Sequence, residues 1–313
     1  MLAVVTGATG FVGRAVCARL LKSGWRVRGL ARTLRPQPPQ GIELRLLDLE
    51  REDPATALEG ADVVFHLAGR AHILEDTSRD PGAAFQSANS EATAQLAHAA
   101  VKAGVSSFLF ASTAKVHGEE SPGRPFTERD APAPQDPYSH SKWDAEQRLR
   151  GILPHSTILR PPLVYGPGVG ANFLRLMKLV ERGIPLPLAS VNNRRSMIFV
   201  GNLADCFVSC ATLPAASGRT FLVSDGEDVS TPQLLQRLGT HMNTPANLWP
   251  CPPSLLRFGA TVLGKRPEAD RLLGSLQLDS SAVVGVGWQR PHSLEEGLEQ
   301  TVLWYRGKSP PAQ

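Results

Sequence analysis

The chain has 313 residues, of which 42% are hydrophobic and 20% charged, and its formal net charge is +4. This composition supports a large buried core, and the even spread of basic residues excludes the dense positive surface that nucleic-acid binding needs. No apolar run approaches the roughly 20 residues that cross a bilayer, and the N-terminus leaves no room for a signal peptide. We therefore expect a cytoplasmic protein with no membrane or nucleic-acid partner. The four cysteines lack zinc-site spacing, so we also expect no metal.

The first 165 residues alternate short apolar segments with amphipathic ones, which is typical of a parallel sheet covered by helices on both faces. The predicted strands are 2–6, 26–31, 43–47, 63–67, 107–111 and 157–160, and the predicted helices are 12–23, 83–103 and 138–150. Six strands with helical crossovers indicate an α/β fold with a doubly wound parallel sheet of the Rossmann type.

The pattern changes after residue 160, where the sequence reads Pro-Pro-Leu-Val-Tyr-Gly-Pro-Gly. Such a turn-rich stretch marks the end of regular strand and helix alternation. We predict a dinucleotide-binding domain over residues 1–165, with a return segment near 197–225. Residues 166–313 are predicted to form mainly a smaller α/β substrate lobe, with helices at 172–182, 202–212 and 231–241. We expect a ligand cleft between the two lobes.

A glycine-rich turn separates the first strand from the first helix and carries Gly7, Gly10, Phe11, Val12 and Gly13. The first glycine permits a tight turn, the second lets the backbone approach a diphosphate, and the third lets the helix pack against the strand. The start of the helix then offers free N–H groups to the phosphates. This turn predicts a dinucleotide site.

The second strand ends in Gly29-Leu30-Ala31-Arg32, without the carboxylate that binds the ribose 2′-hydroxyl of NAD. The Arg32 guanidinium suits the 2′-phosphate of NADP, because it binds phosphate with two parallel hydrogen bonds. We therefore favour NADP(H) as the cofactor, with NAD(H) as the alternative. The other interpretation of Arg32 is an arginine that simply faces solvent.

A tyrosine and a lysine stand four residues apart, at Tyr138 and Lys142, near the start of a helix that begins with Asp136-Pro137. This spacing places both side chains on one helix face. An ammonium group beside a phenol is expected to lower the pKa of that phenol, which would allow proton transfer near neutral pH.

These features occur together with His66-Leu67-Ala68-Gly69, Asn89, the strand end Ser112-Thr113 and the segment from Leu159 to Gly168. Their combination resembles the extended short-chain dehydrogenase/reductases, and within them the NAD-dependent epimerase/dehydratase family.

The resemblance implies a general acid/base role for Tyr138, tuned by Lys142, with Thr113 hydrogen-bonded to the reacting oxygen. The implied cofactor contacts, beyond the residues of the glycine turn and Arg32, are Asp48, Leu49, Leu67, Ala68, Gly69, Asn89, Lys142 and Pro162. The resemblance also implies that Asn172, Arg195 and Arg271 bind the diphosphate of a nucleotide-sugar substrate, with UDP as the expected nucleotide. Relatives commonly dimerise, so we expect a homodimer.

Three functions remain open. Dehydratases of this family carry an Asp-Glu pair where this chain has Ala114-Lys115, so dehydration is disfavoured. The missing acid after the second strand favours a reductase, and the sequence resembles a bacterial branch that reduces UDP-4-keto-6-deoxy-HexNAc sugars for surface polysaccharide. The alternatives are a UDP-hexose or UDP-HexNAc 4-epimerase with tightly bound NAD, and a regulator that binds a dinucleotide without catalysis.

Overall fold

The structure is a computed structural model that describes residues 1–34, 39–71, 80–264 and 266–307. A parallel sheet of seven strands forms its centre, in the order β3-β2-β1-β4-β5-β6-β9. The main-sheet strands are β1 (Leu2–Thr6), β2 (Arg26–Ala31), β3 (Glu43–Leu46), β4 (Val63–His66), β5 (Ser107–Ala111), β6 (Thr157–Arg160) and β9 (Thr220–Leu222). Strands β7 (Leu163–Tyr165) and β8 (Met197–Phe199) form a separate parallel pair. The predicted doubly wound α/β fold is confirmed.

The helices are α1 (Phe11–Lys22), α2 (Pro81–Phe85), α3 (Ala92–Lys102), α4 (Pro137–Ile152), α5 (Ala171–Glu181), α6 (Val200–Thr212), α7 (Thr231–His241), α8 (Pro253–Val262), α9 (Arg266–Leu273), α10 (Ser281–Gly285) and α11 (Leu294–Tyr305). The predicted helix over 83–103 is observed as a continuous helical segment from Pro81 to Lys102, but its geometry is not α-helical throughout. A wider π-helical stretch, Gln86–Glu91, lies between α2 and α3. Such insertions are rare and leave no signal in hydrophobic periodicity.

Alternation along each strand explains why helices cover both faces of the sheet. On β1, Ala3 and Val5 pack into one apolar cluster with α1 and α6, whereas Val4 packs into another with α3 and α4. Neighbouring residues of a strand point to opposite faces, so a strand that is apolar at every position is buried on both sides. The two faces of the sheet are therefore covered by helices, and the carboxyl ends of its strands meet at one edge.

A second lobe covers that edge. Its apolar core joins β7 and β8 to α5, α7 and α11, and it contains Tyr165, Phe173, Met177, Phe199, Leu235 and Leu298. The chain then returns to the first lobe, because α6 packs on α1 and β9 pairs with β6.

Candidate active site

The turn between β1 and α1 is packed tightly at its glycines. Gly7 has a φ of +66°, and its carbonyl oxygen accepts the N–H of Gly10 at 2.9 Å. A Cβ at Gly13 would lie 2.0 Å from that same oxygen, so the helix approaches the turn more closely than any side chain allows. Gly10 caps α1 without a side chain, and N–H groups in the first turn, where Phe11 and Val12 lie, have no intrahelical partner. These groups can bind phosphate oxygens.

A chain of buried polar contacts fixes the loop after β4 beside this turn. The Thr6 hydroxyl oxygen accepts the backbone N–H groups of Leu67 and Ala68 at 3.1 and 3.0 Å. The same hydroxyl lies 2.8 Å from Nδ1 of His66, whose Nε2 lies 2.9 Å from the Thr93 hydroxyl. The backbone of the loop is therefore held in one conformation next to the predicted cofactor groove.

Asn89 lies in the π-helical stretch and holds the same loop from the other side. Its side-chain nitrogen donates to the carbonyl oxygen of Arg70 at 3.1 Å and to the Ser141 hydroxyl at 2.9 Å, and its oxygen accepts the N–H of Arg70 at 2.7 Å. A Cβ at Gly69 would lie 2.9 Å from that oxygen. Asn89 thus links the loop to α4, which carries the predicted catalytic pair.

The predicted catalytic hydroxyls meet at the carboxyl end of β5. Tyr138 and Thr113 share a side-chain hydrogen bond, and the Thr113 hydroxyl also accepts the N–H of Lys115 at 3.3 Å. The side chain of Lys142 lies one helical turn beyond Tyr138, is buried, and places its ammonium 4.1 Å from the centre of the Phe110 ring. A Cβ at Gly69 would lie 3.6 Å from the same ammonium, so this cation faces the cofactor loop.

The pKa of Tyr138 is raised to about 12, so the expectation of a lowered value was wrong. Burial is the main cause and the nearby Asp136 carboxylate adds to it, while the hydrogen bond with Thr113 acts in the opposite direction. Burial also lowers the pKa of Lys142 to about 7. Tyr138 therefore keeps its proton at neutral pH.

Asp136 belongs to an ion-pair cluster that the sequence did not reveal. Its carboxylate caps α4 by accepting the N–H of Ser139, and it pairs with the Lys115 ammonium at 2.8 Å. Lys115 also pairs with Glu119 at 2.6 Å. The Lys115 ammonium and the cap lower the pKa of Asp136 to about 2, despite its partial burial. Lys115 thus pairs with the N-cap residue of α4, the helix that carries the predicted catalytic pair.

A buried ion pair lies behind the predicted catalytic residues. It was not predicted from the sequence. The guanidinium of Arg160 pairs with Glu146 at 2.5 Å, and Glu146 accepts a hydrogen bond from the Ser112 hydroxyl. Arg160 also donates to Nε2 of His117 at 2.8 Å, so this ring nitrogen is the unprotonated one. Burial and the guanidinium of Arg160 lower the pKa of His117 to about 4.

At the adenine end of the predicted groove, Arg32 is exposed and pairs with Glu50 at 3.3 Å. The Asp48 carboxylate accepts the N–H of Glu50 at 3.1 Å. Leu49 is buried in the apolar cluster below, so its side chain contributes to packing. Arg32 and Asp48 therefore both contact Glu50, so a further carboxylate lies beside these two predicted cofactor residues.

The two predicted diphosphate arginines come together in the second lobe. Arg195 donates to the carbonyl oxygens of Arg271 and Gly274 at 2.8 and 3.0 Å, and Arg271 pairs with Glu119 at 3.8 Å. Burial lowers the pKa of Arg195, and the nearby carboxylates oppose that effect. Glu119 pairs with both Arg271 and Lys115, so the cluster at the catalytic helix extends to the second lobe.

Asn172 and Pro162 lie apart from these contacts. Asn172 is exposed in the first turn of α5, after the unusual positive φ of Ala171. Pro162 is half-buried just after β6. Within the described ranges, no three His, Cys, Asp or Glu side chains are grouped in a way that could hold a metal ion.

The buried histidines predict an acid-sensitive fold. Burial and the Lys142 ammonium lower the pKa of His66 to about 3, far below the roughly 6.5 of an unfolded chain. The unfolded state therefore binds more protons below pH 6.5, and stability falls as the pH is lowered. We expect each buried histidine to contribute up to about 1.4 kcal/mol per pH unit to the loss of unfolding free energy between pH 6.5 and 4.5.

Urea unfolding across that pH range measures the effect. His66→Asn should flatten the acid slope by the contribution of one histidine, whereas His98→Asn, at an exposed position of α3, should leave it unchanged. Equal slopes in the wild type and in His66→Asn would refute the assignment.

Comparisons with known proteins give a consistent picture. The profile of the NAD dependent epimerase/dehydratase family matches residues 3–224. A UDP-glucose 4-epimerase from Vibrio cholerae is 38% identical over 307 residues, covering 95% of this chain and 93% of that protein. A ceramide reductase from Caulobacter vibrioides is 30% identical over 324 residues, covering 96% of this chain and 93% of that protein. A solved structure of MoeE5 in complex with UDP-glucose and NAD has a TM-score of 0.78 at 23% identity, covers 98% of this chain and 99% of that one, and thus shares the fold.

Proposed function

The chain belongs to the NAD-dependent epimerase/dehydratase family and is an enzyme, and we propose that its reaction moves a hydride between a nicotinamide dinucleotide and C4 of a UDP-linked sugar. The observation that carries this proposal is the Tyr138 hydroxyl, bonded to Thr113 at the carboxyl edge of the sheet with the Lys142 ammonium one turn away. An intact set of these three residues argues against a regulator without catalysis.

The turn after β1 fits the diphosphate of such a dinucleotide. Its glycines leave no side chain between the backbone and a ligand, and the first turn of α1 offers unpaired N–H groups. A nicotinamide dinucleotide held there would supply the hydride for reduction of the sugar, or accept one from it. Lys142 faces the loop beside it and is placed to bind the nicotinamide ribose, as Leu67, Ala68 and Gly69 are placed to line the groove.

Tyr138 supplies the proton for the reaction. In ketone reduction, C4 gains the hydride and O4 gains the Tyr138 proton, so a carbonyl becomes an alcohol. Thr113, which is hydrogen-bonded to Tyr138, is proposed to donate its hydroxyl hydrogen to the same carbonyl oxygen. The raised pKa of Tyr138 keeps its proton in place until charge develops on O4, and the nearby Lys142 ammonium then stabilises the phenolate.

Arg195 and Arg271 are proposed to bind the substrate diphosphate, together with Asn172. The Arg195 guanidinium donates to the backbone carbonyl oxygen of Arg271, and Arg195 is half-buried. Guanidinium groups held this way bind phosphate with little loss of side-chain freedom. UDP is proposed as the nucleotide because the MoeE5 structure is described with UDP-glucose. We also propose a cytoplasmic homodimer.

Between reduction and epimerisation, we favour an NADP(H)-dependent reductase of a UDP-4-keto-6-deoxy-HexNAc. The absence of an acid at the end of β2 and the exposed guanidinium of Arg32 support this choice. The second candidate is a UDP-sugar 4-epimerase that retains NAD. The Vibrio cholerae relative supports it, and so does the Glu50 carboxylate beside Arg32, which opposes a 2′-phosphate.

One experiment separates these candidates. The purified protein is analysed for bound dinucleotide and then incubated with NADPH and a panel of UDP-4-keto-sugars and UDP-hexoses. A reductase should carry little bound NAD and consume NADPH in step with the keto sugar. Tightly bound NAD, with epimerisation that needs no added cofactor, would instead establish the epimerase, and inactivity toward every UDP-sugar would refute both.

The role of Arg32 gives a separate prediction. Arg32→Ala should weaken NADP(H) binding by about 10- to 150-fold, because it removes a charge-assisted pair worth roughly 1.5 to 3 kcal/mol, and it should leave NAD(H) binding unchanged. Glu50→Gln should strengthen NADP(H) binding, since it removes the competing carboxylate. Titration of each dinucleotide measures both effects.

Arg51→Ala is the control, because Arg51 is an exposed arginine in the segment after β3 that also carries Glu50. If Arg32→Ala binds NADP(H) as tightly as Arg51→Ala does, Arg32 is no phosphate ligand.

A further inference from the structure

Helix α8 is the one long helix among those described that has no buried residue. Leu255, Phe258 and Val262 are 59%, 69% and 71% exposed, and Leu263, which follows the helix, is 73% exposed. Spacings of three and four residues place the first three on one side of a helix. These four residues are called the α8 face, and they are independent of the proposed active site.

The opposite side of α8 packs against the rest of the second lobe. Leu256, on its inner side, packs against the apolar core of the second lobe, and α8 also packs against α9. The α8 face is therefore exposed on a helix that the fold holds in place. Scattered apolar side chains are common on protein surfaces, but a contiguous group of this kind usually marks an interaction site.

Positive charge accompanies the α8 face. Arg257 and Arg266 are 48% and 70% exposed in their side chains, and both pair with one carboxylate, Asp270, at 3.4 and 3.6 Å. Two guanidinium groups that share one carboxylate leave an excess positive charge beside the apolar residues. Apolar side chains bordered by cations are the composition of helices that lie in the interface of an anionic membrane.

We propose that the α8 face docks the protein onto a bilayer surface that contains anionic phospholipids. No helix in the described part of the chain is long and apolar enough to cross a membrane. Helix α8 would lie in the plane of the surface with its exposed apolar side toward the lipid. This reverses the expectation of a protein without a membrane partner. Because α8 packs on α9, which carries Arg271, docking would bring the substrate lobe to the lipid surface.

A second copy of the chain fits this face less well. The four residues expose on the order of 500 Å² together, so a two-fold contact would need surrounding residues to reach the roughly 800 Å² per partner of a standard interface. A two-fold contact through this face would also bring the same excess positive charge of each copy together. A lipid surface with negative headgroups satisfies both the apolar residues and the arginines.

The test is cosedimentation of the full chain with vesicles of phosphatidylcholine and phosphatidylglycerol, beside vesicles of phosphatidylcholine alone. The wild type should bind the anionic vesicles, and added salt should weaken binding. The double variant Phe258→Ser/Val262→Ser should bind at least about 10-fold more weakly, because it removes buried apolar area. Arg257→Gln/Arg266→Gln should remove the preference for anionic vesicles.

Leu46→Ser is the matched control, since Leu46 is 54% exposed on edge strand β3, and it should bind like the wild type. Sedimentation velocity of the same proteins measures their oligomeric state and so tests whether a second copy of the chain covers the α8 face instead. The proposal is overturned if the wild type stays in the supernatant, if the double variant binds normally, or if that variant instead abolishes a dimer. Turnover of UDP-sugars in solution tests the proposed function separately.

Discussion

Replacing Tyr138 by phenylalanine should reduce turnover about 1,000-fold while leaving dinucleotide affinity within about threefold of the wild type. The change deletes the hydroxyl that bonds to Thr113 and gives its proton to O4, and general acid catalysis of this kind contributes about 10²- to 10⁴-fold. The ring remains, including its edge contact with Phe85, so the binding surface changes little. Steady-state kinetics and dinucleotide titration measure the two effects separately.

The chain has only three tyrosines, which supplies a control. Tyr305→Phe removes the same hydroxyl from a residue that bonds to Glu181 near the end of α11, and its turnover should match the wild type. If Tyr138→Phe keeps most of its rate, another group must supply the proton and the assignment is wrong.

Replacing Lys142 by methionine should impair binding and turnover together, and should also stabilise the fold. Loss of the ammonium removes charge-assisted contacts to the proposed ribose worth roughly 1.5 to 3 kcal/mol, so dinucleotide affinity should fall about 10- to 150-fold. Turnover should fall as well, because the phenolate of Tyr138 loses its neighbouring cation. Methionine keeps most of the volume and the contact with Phe110.

The stability gain follows from the lysine pKa. Burial lowers that pKa to about 7, whereas the unfolded chain has about 10.4, so the unfolded state binds more protons between these values. At pH 7 this difference destabilises the wild type by up to about 4 kcal/mol, and the penalty shrinks as the pH rises. Urea unfolding at pH 7 should give a higher free energy of unfolding for Lys142→Met than for the wild type. Between pH 7 and 10 the wild-type value should rise, whereas the Lys142→Met value should not.

Lys102→Met, at an exposed position at the end of α3, should change neither stability nor affinity. A Lys142→Met protein less stable than the wild type at pH 7 would show that this ammonium is stabilised by contacts rather than penalised by burial.

The sequence predicted those parts of the fold that depend on local pattern. The observed ends of β1, β2, β5 and β6 are the predicted ones, because apolar runs bounded by turns define buried strands. The glycine turn also follows from local needs, as the close approach at Gly13 shows. Arg195 and Arg271 are distant in sequence but in contact in the fold. The family resemblance predicted that both bind one diphosphate, whereas no local pattern would have paired them.

The electrostatics could not be predicted in the same way. The sequence identifies Asp136 as a helix cap, but not how strongly it affects Tyr138. Burial of Tyr138 and its distance from Asp136 depend on the fold, and together they raise the pKa that was expected to be lowered. Lys115 is four residues from Glu119 and distant from Asp136, so only the folded chain shows that it bridges both. The catalytic, cofactor and substrate roles of the site residues all stay predictions.

The return of the chain to the first lobe has a consequence for protein synthesis. The chain leaves the sheet after β6, builds β7, α5 and β8 in the second lobe, and only then supplies α6 and β9. Until α6 is made, the apolar side of α1 at Val16 and Leu20 has no cover from Phe207. A nascent chain therefore cannot complete its first lobe until residue 222 has left the ribosome. Until then one apolar face of that lobe stays exposed and can bind chaperones.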